Sequence, residues 1–146
     1  MRHIILFLSI VFMSVACTAD QSDAQSSNDS AAQQNGGGEW RVQNVEALEA
    51  RDLIATVPNI VVLDVRTPKE YGAGHISGGK NIDFFGQNFE SQLSGLNRAT
   101  PYLLHCKSGG RSSKVLKVME RLGFKNIYHL EGGFDAWKNA NFDAVS

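Results

Sequence analysis

Residues 101–122 have the sequence PYLLHCKSGGRSSKVLKVMERL, in which an apolar run, a glycine-containing loop and an amphipathic segment follow one another. The apolar run 101–105 predicts a buried strand that ends just before Cys106. The segment 113–122 carries apolar residues at helical spacing and therefore predicts a helix. Cys106 is thus expected in a tight loop between the end of a strand and the start of a helix.

A loop of this kind favours a negative charge, because its N–H groups and the helix dipole point toward the same place. The same surroundings lower the pKa of a cysteine and present a nucleophilic thiolate. We therefore predict that Cys106 is a catalytic nucleophile. The predicted binding loop that follows it consists of Lys107, Ser108, Gly109, Gly110, Arg111 and Ser112.

The charge of the chain is distributed unevenly. The formal net charge is −1, yet residues 106–125 contain six bases and a single acid, Glu120. Most of these bases fit the solvated face of the amphipathic helix, whereas Lys107 and Arg111 belong to the loop and raise the potential around Cys106. The basic patch favours small anions, and it is too small and too poor in aromatic residues to indicate nucleic acid binding.

The first residues have the features of an export signal. A short basic start precedes the apolar stretch 4–15, which is too short for a comfortable membrane span. The small residues 14–16 directly before Cys17 resemble a bacterial lipoprotein signal, in which Cys17 becomes lipidated. We therefore predict a signal peptide over 1–17 and an exported, periplasmic protein anchored to the membrane through its lipid. Ser14 stands where such signals usually carry leucine, so ordinary signal cleavage is an alternative. A retained N-terminal anchor is a further alternative.

Two further segments follow the signal. Residues 18–38 are rich in Ser, Gln, Asn and Ala and end in three glycines, a composition that predicts a disordered linker. Residues 39–146 then have the length of one folded domain.

The chain contains two cysteines, so a disulfide between Cys17 and Cys106 is one interpretation in an exported protein. We favour a free Cys106, because Cys17 lies in the signal and a long linker separates the two. The mature chain then has no resolving cysteine, which excludes a thioredoxin-like dithiol mechanism.

The rest of the folded part alternates strand and helix patterns. The β-branched run 60–65 predicts a strand buried on both faces, and Thr67 with Glu70 forms a capping box that predicts a helix start at Pro68. The other predicted elements are a helix over 44–56 capped by Asn44, a short strand near 81–83, a helix over 85–96, a strand over 126–130 and a last helical turn or two after Gly133.

This alternation predicts an α/β fold, an open parallel sheet with helices on both faces. Ligands bind such sheets beyond the carboxyl ends of the strands, which is where Cys106 falls.

Three motifs resemble those of rhodanese domains. The first covers 63–71 and continues through 74–76 and 81–82, the second is the cysteine loop, and the third is 130–137. They occur in the order found in that family and span essentially the whole folded part. Residues 39–146 are therefore identified as one rhodanese domain, similar to the single-domain thiosulfate sulfurtransferases.

The resemblance implies a reaction. The Cys106 thiolate attacks the outer sulfur of thiosulfate or a related small anionic donor and becomes a persulfide. The outer sulfur of this persulfide is then transferred to a thiol or to cyanide. The N–H groups of 107–112 stabilise the persulfide, and Lys107 and Arg111 attract the donor. Arg111 has an alternative role, in which it pairs with a nearby acid and holds the loop. The reaction implies no metal or organic cofactor and no nucleic acid partner, and we expect a monomer.

Several charged residues near the predicted site suggest a Cys-His-Asp triad. We instead expect Asp64, Arg66 and Glu70 to form a hydrogen-bonded frame under the loop, and His75 to be structural. His105 precedes Cys106 on its strand, so its side chain is expected on the opposite face of the sheet from the thiol.

Two other functions compete with sulfur transfer. A cysteine phosphatase also carries His-Cys followed by an arginine. Its loop has five residues between the cysteine and the arginine, whereas this chain has four between Cys106 and Arg111. The shorter loop suits a sulfur atom better than a tetrahedral phosphate. The second alternative is a rhodanese-like module that binds a protein or carries sulfur with little turnover.

Overall fold

The computed structural model describes residues 39–146, which fold around a five-stranded sheet. The strands are β1 (Arg41–Val45), β2 (Val61–Asp64), β3 (Lys80–Asn81), β4 (Tyr102–His105) and β5 (Asn126–Leu130). The helices are α1 (Ala47–Thr56), α2 (Pro68–Gly72), α3 (Phe89–Ser94), α4 (Gly110–Arg121) and α5 (Gly133–Asn139).

All neighbouring strands in the sheet are parallel, in the order β1-β5-β4-β2-β3. β4 is therefore central, with β5 on one side and β2 on the other. The side chains of β4 alternate between two apolar clusters, Tyr102 and Leu104 in one and Leu103 in the other. Because both faces of this strand are covered, its sequence is a continuous apolar run.

The helices are divided between the two faces. Phe89 of α3 and Met119 of α4 belong to the cluster that contains Leu104, whereas Ala50 of α1 and Trp137 of α5 belong to the cluster that contains Leu103. The predicted α/β fold, a parallel sheet with helices on both faces, is confirmed. Cys106 follows the last residue of β4, at the carboxyl edge of the sheet.

Two of the predicted helices were placed wrongly at their ends. Residues 41–45 form β1, an edge strand beside β5, and the first helix begins at Ala47 with Glu46 as its N-cap in place of Asn44. The helix predicted over 85–96 is limited to α3, because tight turns occupy the residues before Phe89. The capping box of Thr67 and Glu70 is present as predicted, with Pro68 as the first helical residue.

The predicted signal peptide, the lipidation site Cys17 and the linker lie outside the described residues. Within 39–146, no helix is long and apolar enough to cross a membrane.

Candidate active site

The Cys106 loop is held between β4 and the N-terminus of α4. Gly109 stands just before α4 with a φ of 99°, a left-handed conformation that turns the chain into the helix. The start of α5 fastens the other side, since the N–H of Phe134 donates to the Cys106 carbonyl at 2.8 Å and that of Asp135 to the Lys107 carbonyl at 2.9 Å. The loop is therefore anchored by backbone on both sides.

The sulfur of Cys106 faces hydrogen-bond donors from this loop. The Gly109 N–H lies 3.2 Å from Sγ, and the Ser112 hydroxyl lies 3.5 Å from it. Burial of the thiol raises its pKa, but hydrogen bonds from the Ser112 hydroxyl and from the N–H groups of Ser112, Ser108 and Arg111 lower it. The net result is a pKa below the ordinary value for cysteine.

Cys106 is also deeply buried, with 1% of its surface exposed. A buried sulfur surrounded only by hydrocarbon would be an inert thiol. Here the donors are aimed at the sulfur, so the site supports a negative charge on it.

Arg111 pairs with an acid from another part of the chain. Its Nη1 and Nη2 each lie 2.7 Å from one carboxylate oxygen of Glu70, a bidentate ion pair. The hydrogen bond from Arg111 lowers the pKa of Glu70 to about 2, and the same bond raises the pKa of Arg111. This ion pair ties α2 directly to α4. Glu70 also accepts a hydrogen bond from the Thr67 N–H of the capping box at 3.0 Å, which fixes the position of its carboxylate.

We predict that the folding stability of Glu70→Gln decreases less steeply than that of the wild type as the pH falls. Unfolded Glu70 binds its proton near pH 4.5 and folded Glu70 near pH 2, so its contribution is complete above the first value and lost as the pH falls through the second. Thermal unfolding midpoints measured across this interval should fall more steeply for the wild type than for the variant.

The control is Glu90→Gln, which removes an exposed ion pair with Arg121 and should leave the wild-type slope unchanged. Parallel curves for the wild type and Glu70→Gln would contradict the assignment.

A second polar cluster lies beneath the loop. Arg66 pairs with Asp64 at 2.6 Å and donates to the Gly74 carbonyl at 2.8 Å, with both charged side chains almost fully buried. His105 packs on the α5 side of the sheet, against Phe134. Its polar neighbours are the Cys106 carbonyl and Asp64. Asp64 and Arg66 thus pair as predicted, whereas Glu70, predicted in the same frame, pairs with Arg111 instead. His105 does not face the sulfur. Burial lowers the pKa of His105 and keeps its imidazole neutral.

Two residues that the sequence did not indicate as part of the site, His129 and Asn44, are linked to it by hydrogen bonds. His129 of β5 lies with its Nε2 2.8 Å from the Ser112 Oγ, and its Nδ1 lies 3.1 Å from the Asn44 Oδ1. Asn44 and His129 are paired neighbours on β1 and β5, so their side chains share one face of the sheet. A polar histidine near the carboxyl end of a largely buried strand was the only local sign of this contact.

A small cleft of about 220 Å³ opens beside the loop. Its lining includes Lys107, Glu70, Arg66, Phe134 and Lys138. A larger cavity of about 480 Å³ lies between α1 and the C-terminal segment and includes no residue of the loop. We assign the donor site to the smaller cleft, because its lining includes Lys107, which directly follows Cys106, and Glu70, the partner of Arg111. Within 39–146, no group of three or more His, Cys, Asp or Glu residues could hold a metal ion.

The model of the rhodanese-like domain matches residues 46–140, which contain the frame, the cysteine loop and the start of α5. The chain belongs to the rhodanese-like domain family. This domain is similar to the thiosulfate sulfurtransferase GlpE of Pseudomonas putida, with 30% identity over 98 residues that cover 67% of this chain and 84% of the relative. GlpE of Pseudomonas entomophila is 32% identical over 79 residues, 54% of this chain and 71% of that protein.

The domain also matches part of a longer protein. It is 34% identical over 89 residues to the probable adenylyltransferase/sulfurtransferase MoeZ of Mycobacterium tuberculosis, a match that covers 61% of this chain and 23% of MoeZ. The chain therefore corresponds to less than a quarter of that relative.

A crystal structure shows the same rhodanese-like architecture. A rhodanese-related protein from Thermoplasma volcanium superposes with a TM-score of 0.59 at 30% identity and covers 73% of this chain and 98% of its own.

Proposed function

We propose that this rhodanese-like protein is a sulfurtransferase that moves sulfane sulfur from thiosulfate or a related donor to a thiophilic acceptor through a persulfide on Cys106. The observation that carries the proposal is the surroundings of the Cys106 sulfur. Hydrogen-bond donors from Gly109 and Ser112 reach it, and its pKa lies below that of an ordinary thiol. The GlpE relatives are themselves named thiosulfate sulfurtransferases.

The proposed reaction has two steps. The Cys106 thiolate attacks the outer sulfur of thiosulfate, a new S–S bond forms, and the original S–S bond breaks with its electron pair leaving on sulfite. An acceptor such as cyanide or a thiolate then attacks the outer sulfur of the persulfide and regenerates the Cys106 thiolate. The loop N–H groups stabilise the negative sulfur in both states, as an oxyanion hole stabilises an alkoxide.

The charges at the cleft favour a small anionic donor. The cleft of about 220 Å³ lies below the range of about 300–1,000 Å³ typical of drug-sized ligands. Lys107 is exposed at its edge and is the better candidate for the first contact with the donor. Both terminal nitrogens of Arg111 donate to the Glu70 carboxylate. We therefore assign Arg111 mainly to holding the loop, with a secondary contribution to the local positive charge.

The test is mass spectrometry of the protein after exposure to thiosulfate. We expect the peptide that contains Cys106 to gain the mass of one sulfur atom while sulfite appears in the solution in equal amount. Addition of cyanide should remove that mass and yield thiocyanate. Cys106→Ser, treated in the same way, is the control and should gain nothing.

Two outcomes would contradict the proposal. A Cys106 that gains no sulfur, in a protein that binds another protein, would favour the binding module. Hydrolysis of an aryl phosphate that depends on Cys106 would favour the phosphatase.

The location of the protein also stays a prediction. We propose that lipid on Cys17 anchors the chain at the membrane and that the rhodanese-like domain works in the periplasm. Metabolic labelling with a fatty acid, compared between the wild type and Cys17→Ser, would test it, and equal labelling of both would contradict it.

A further inference from the structure

A continuous line of polar atoms leads away from the buried sulfur. It begins at the Cys106 Sγ, passes through the Ser112 Oγ at 3.5 Å and the His129 Nε2 at 2.8 Å from that oxygen, and ends at the Asn44 Oδ1 at 3.1 Å from the His129 Nδ1. Ser112 is fully buried and His129 is 7% exposed, whereas Asn44 is exposed at the sheet edge. The line therefore connects a buried thiol with the surface.

We propose that His129 is the proton acceptor for the Cys106 thiol, with the Ser112 hydroxyl between them and Asn44 as the positioning residue for the imidazole. The inference rests on the proposed function only because that function makes Cys106 the nucleophile.

The proton positions follow from the partners of the imidazole. The Asn44 Oδ1 is an acceptor, so the Nδ1 of neutral His129 carries the proton that it donates to Asn44. The Nε2 is then bare and accepts a hydrogen bond from the Ser112 hydroxyl, which leaves the Ser112 oxygen free to accept from the Cys106 S–H. Burial lowers the pKa of His129, which keeps the imidazole in this neutral form before the transfer.

The transfer itself balances with two proton shifts and no redox change. The S–H bond of Cys106 breaks and its proton goes to the Ser112 oxygen, while the proton of Ser112 goes to the His129 Nε2. Afterwards the imidazolium donates to Ser112, and Ser112 donates to the Cys106 thiolate. The Gly109 carbonyl, 2.9 Å from the Ser112 oxygen, is a competing acceptor for the same hydroxyl proton. Once the His129 Nε2 is protonated it can no longer accept from the Ser112 hydroxyl. The negative sulfur then attracts the hydroxyl proton of Ser112 in competition with the Gly109 carbonyl.

Charges near the Cys106 sulfur and near the His129 imidazole determine how far the proton transfer between them proceeds. At the sulfur, the Arg111 guanidinium of α4 favours the thiolate, and Glu70 of α2 offsets part of its charge. At the imidazole, the Glu131 carboxylate just after β5 favours the protonated form. Arg111 and Glu131 therefore favour the imidazolium–thiolate pair, whereas Glu70 and the burial of His129 oppose it.

The decisive experiment follows both groups in the full chain without a sulfur donor. Thiolate formation is measured by far-ultraviolet absorbance, as the difference between the wild type and Cys106→Ser. Protonation of His129 is measured by NMR of its ring nitrogens over the same pH range. We expect His129 to carry a proton on both nitrogens where the thiolate is present, and its pKa to fall in Cys106→Ser. A His129 that stays neutral while the thiolate forms would overturn the proposal.

Variants give an independent readout. His129→Leu should raise the pKa of Cys106 by about one unit, the scale of one hydrogen bond to a charged group, and Ser112→Ala should raise it by a similar amount. The double variant should show no further rise, because both changes break the same line. Asn44→Ala, at an exposed position that does not threaten folding, should raise it less.

The matched control is His75→Leu, since His75 stacks on Tyr71 and its ring nitrogen lies 3.2 Å from the Tyr71 carbonyl, with no hydrogen bond to Cys106, Ser112 or His129; it should leave the thiol pKa unchanged. His129→Gln, which retains a polar group toward Ser112, should recover part of the hydrogen bonding without accepting the proton. Additive shifts in the double variant, or a wild-type thiol pKa in His129→Leu, would overturn the proposal. If thiosulfate loads no sulfur onto Cys106 although the two titrations are coupled, only the proposed function fails.

Discussion

Cys106→Ser is expected to lower sulfur transfer by at least about a thousandfold, the scale seen when an essential nucleophile is removed. A serine hydroxyl fits the same space, and the Gly109 N–H and the Ser112 hydroxyl remain to surround it. It stays protonated at neutral pH, however, and oxygen cannot hold the transferred sulfur as a persulfide. The folded structure should therefore persist while the activity disappears.

The measurement is the rate of thiocyanate formation from thiosulfate and cyanide, together with the thermal unfolding midpoint. Cys17→Ser is the matched control, because it makes the same substitution at the other cysteine of the chain. It should retain wild-type activity in the purified protein. Full activity in Cys106→Ser would show that the mechanism is wrong.

The second large effect is expected for Gly133→Ala, which should destabilise the fold by roughly 2–5 kcal/mol, the sum of an overpacked site and a left-handed residue with a side chain. Gly133 has a φ of 58°, and a Cβ added there would lie 2.6 Å from the Cys106 carbonyl oxygen and 2.7 Å from that of Lys107. Both obstacles are backbone atoms of the catalytic loop, so the loop itself would have to move.

Urea unfolding followed by circular dichroism measures this change, and the activity should fall with it because the loop is displaced. Gly72→Ala is the control, since nothing lies within 4 Å of a Cβ at that position and its φ is not positive. It should change stability by no more than about 1 kcal/mol. A Gly133→Ala protein as stable as Gly72→Ala would contradict the close contact between α5 and the loop.

Local patterns were enough to predict the parts of the fold that are buried on both faces or begin with a capping motif. The apolar run before Cys106 and the run 60–65 became β4 and β2, and the capping box at Thr67 became the start of α2. β1 was missed because four of its five residues are exposed, so the strand carries no apolar pattern. It exists because the exposed backbone edge of β5 pairs with it.

The nucleophile and its loop could likewise be predicted, because a cysteine between a buried strand and a helix N-terminus is a local feature of the chain. The groups that tune this cysteine could not. Arg111 and Glu70 are 41 residues apart, and His129 lies 17 residues from Ser112 and 85 from Asn44. A sequence shows that these side chains are polar, but only the order of the strands and the packing of α2 and α4 bring them within hydrogen-bond distance. The chemistry of Cys106 was thus evident from neighbouring residues, whereas its partners depend on parallel pairing between distant segments, which no short pattern encodes.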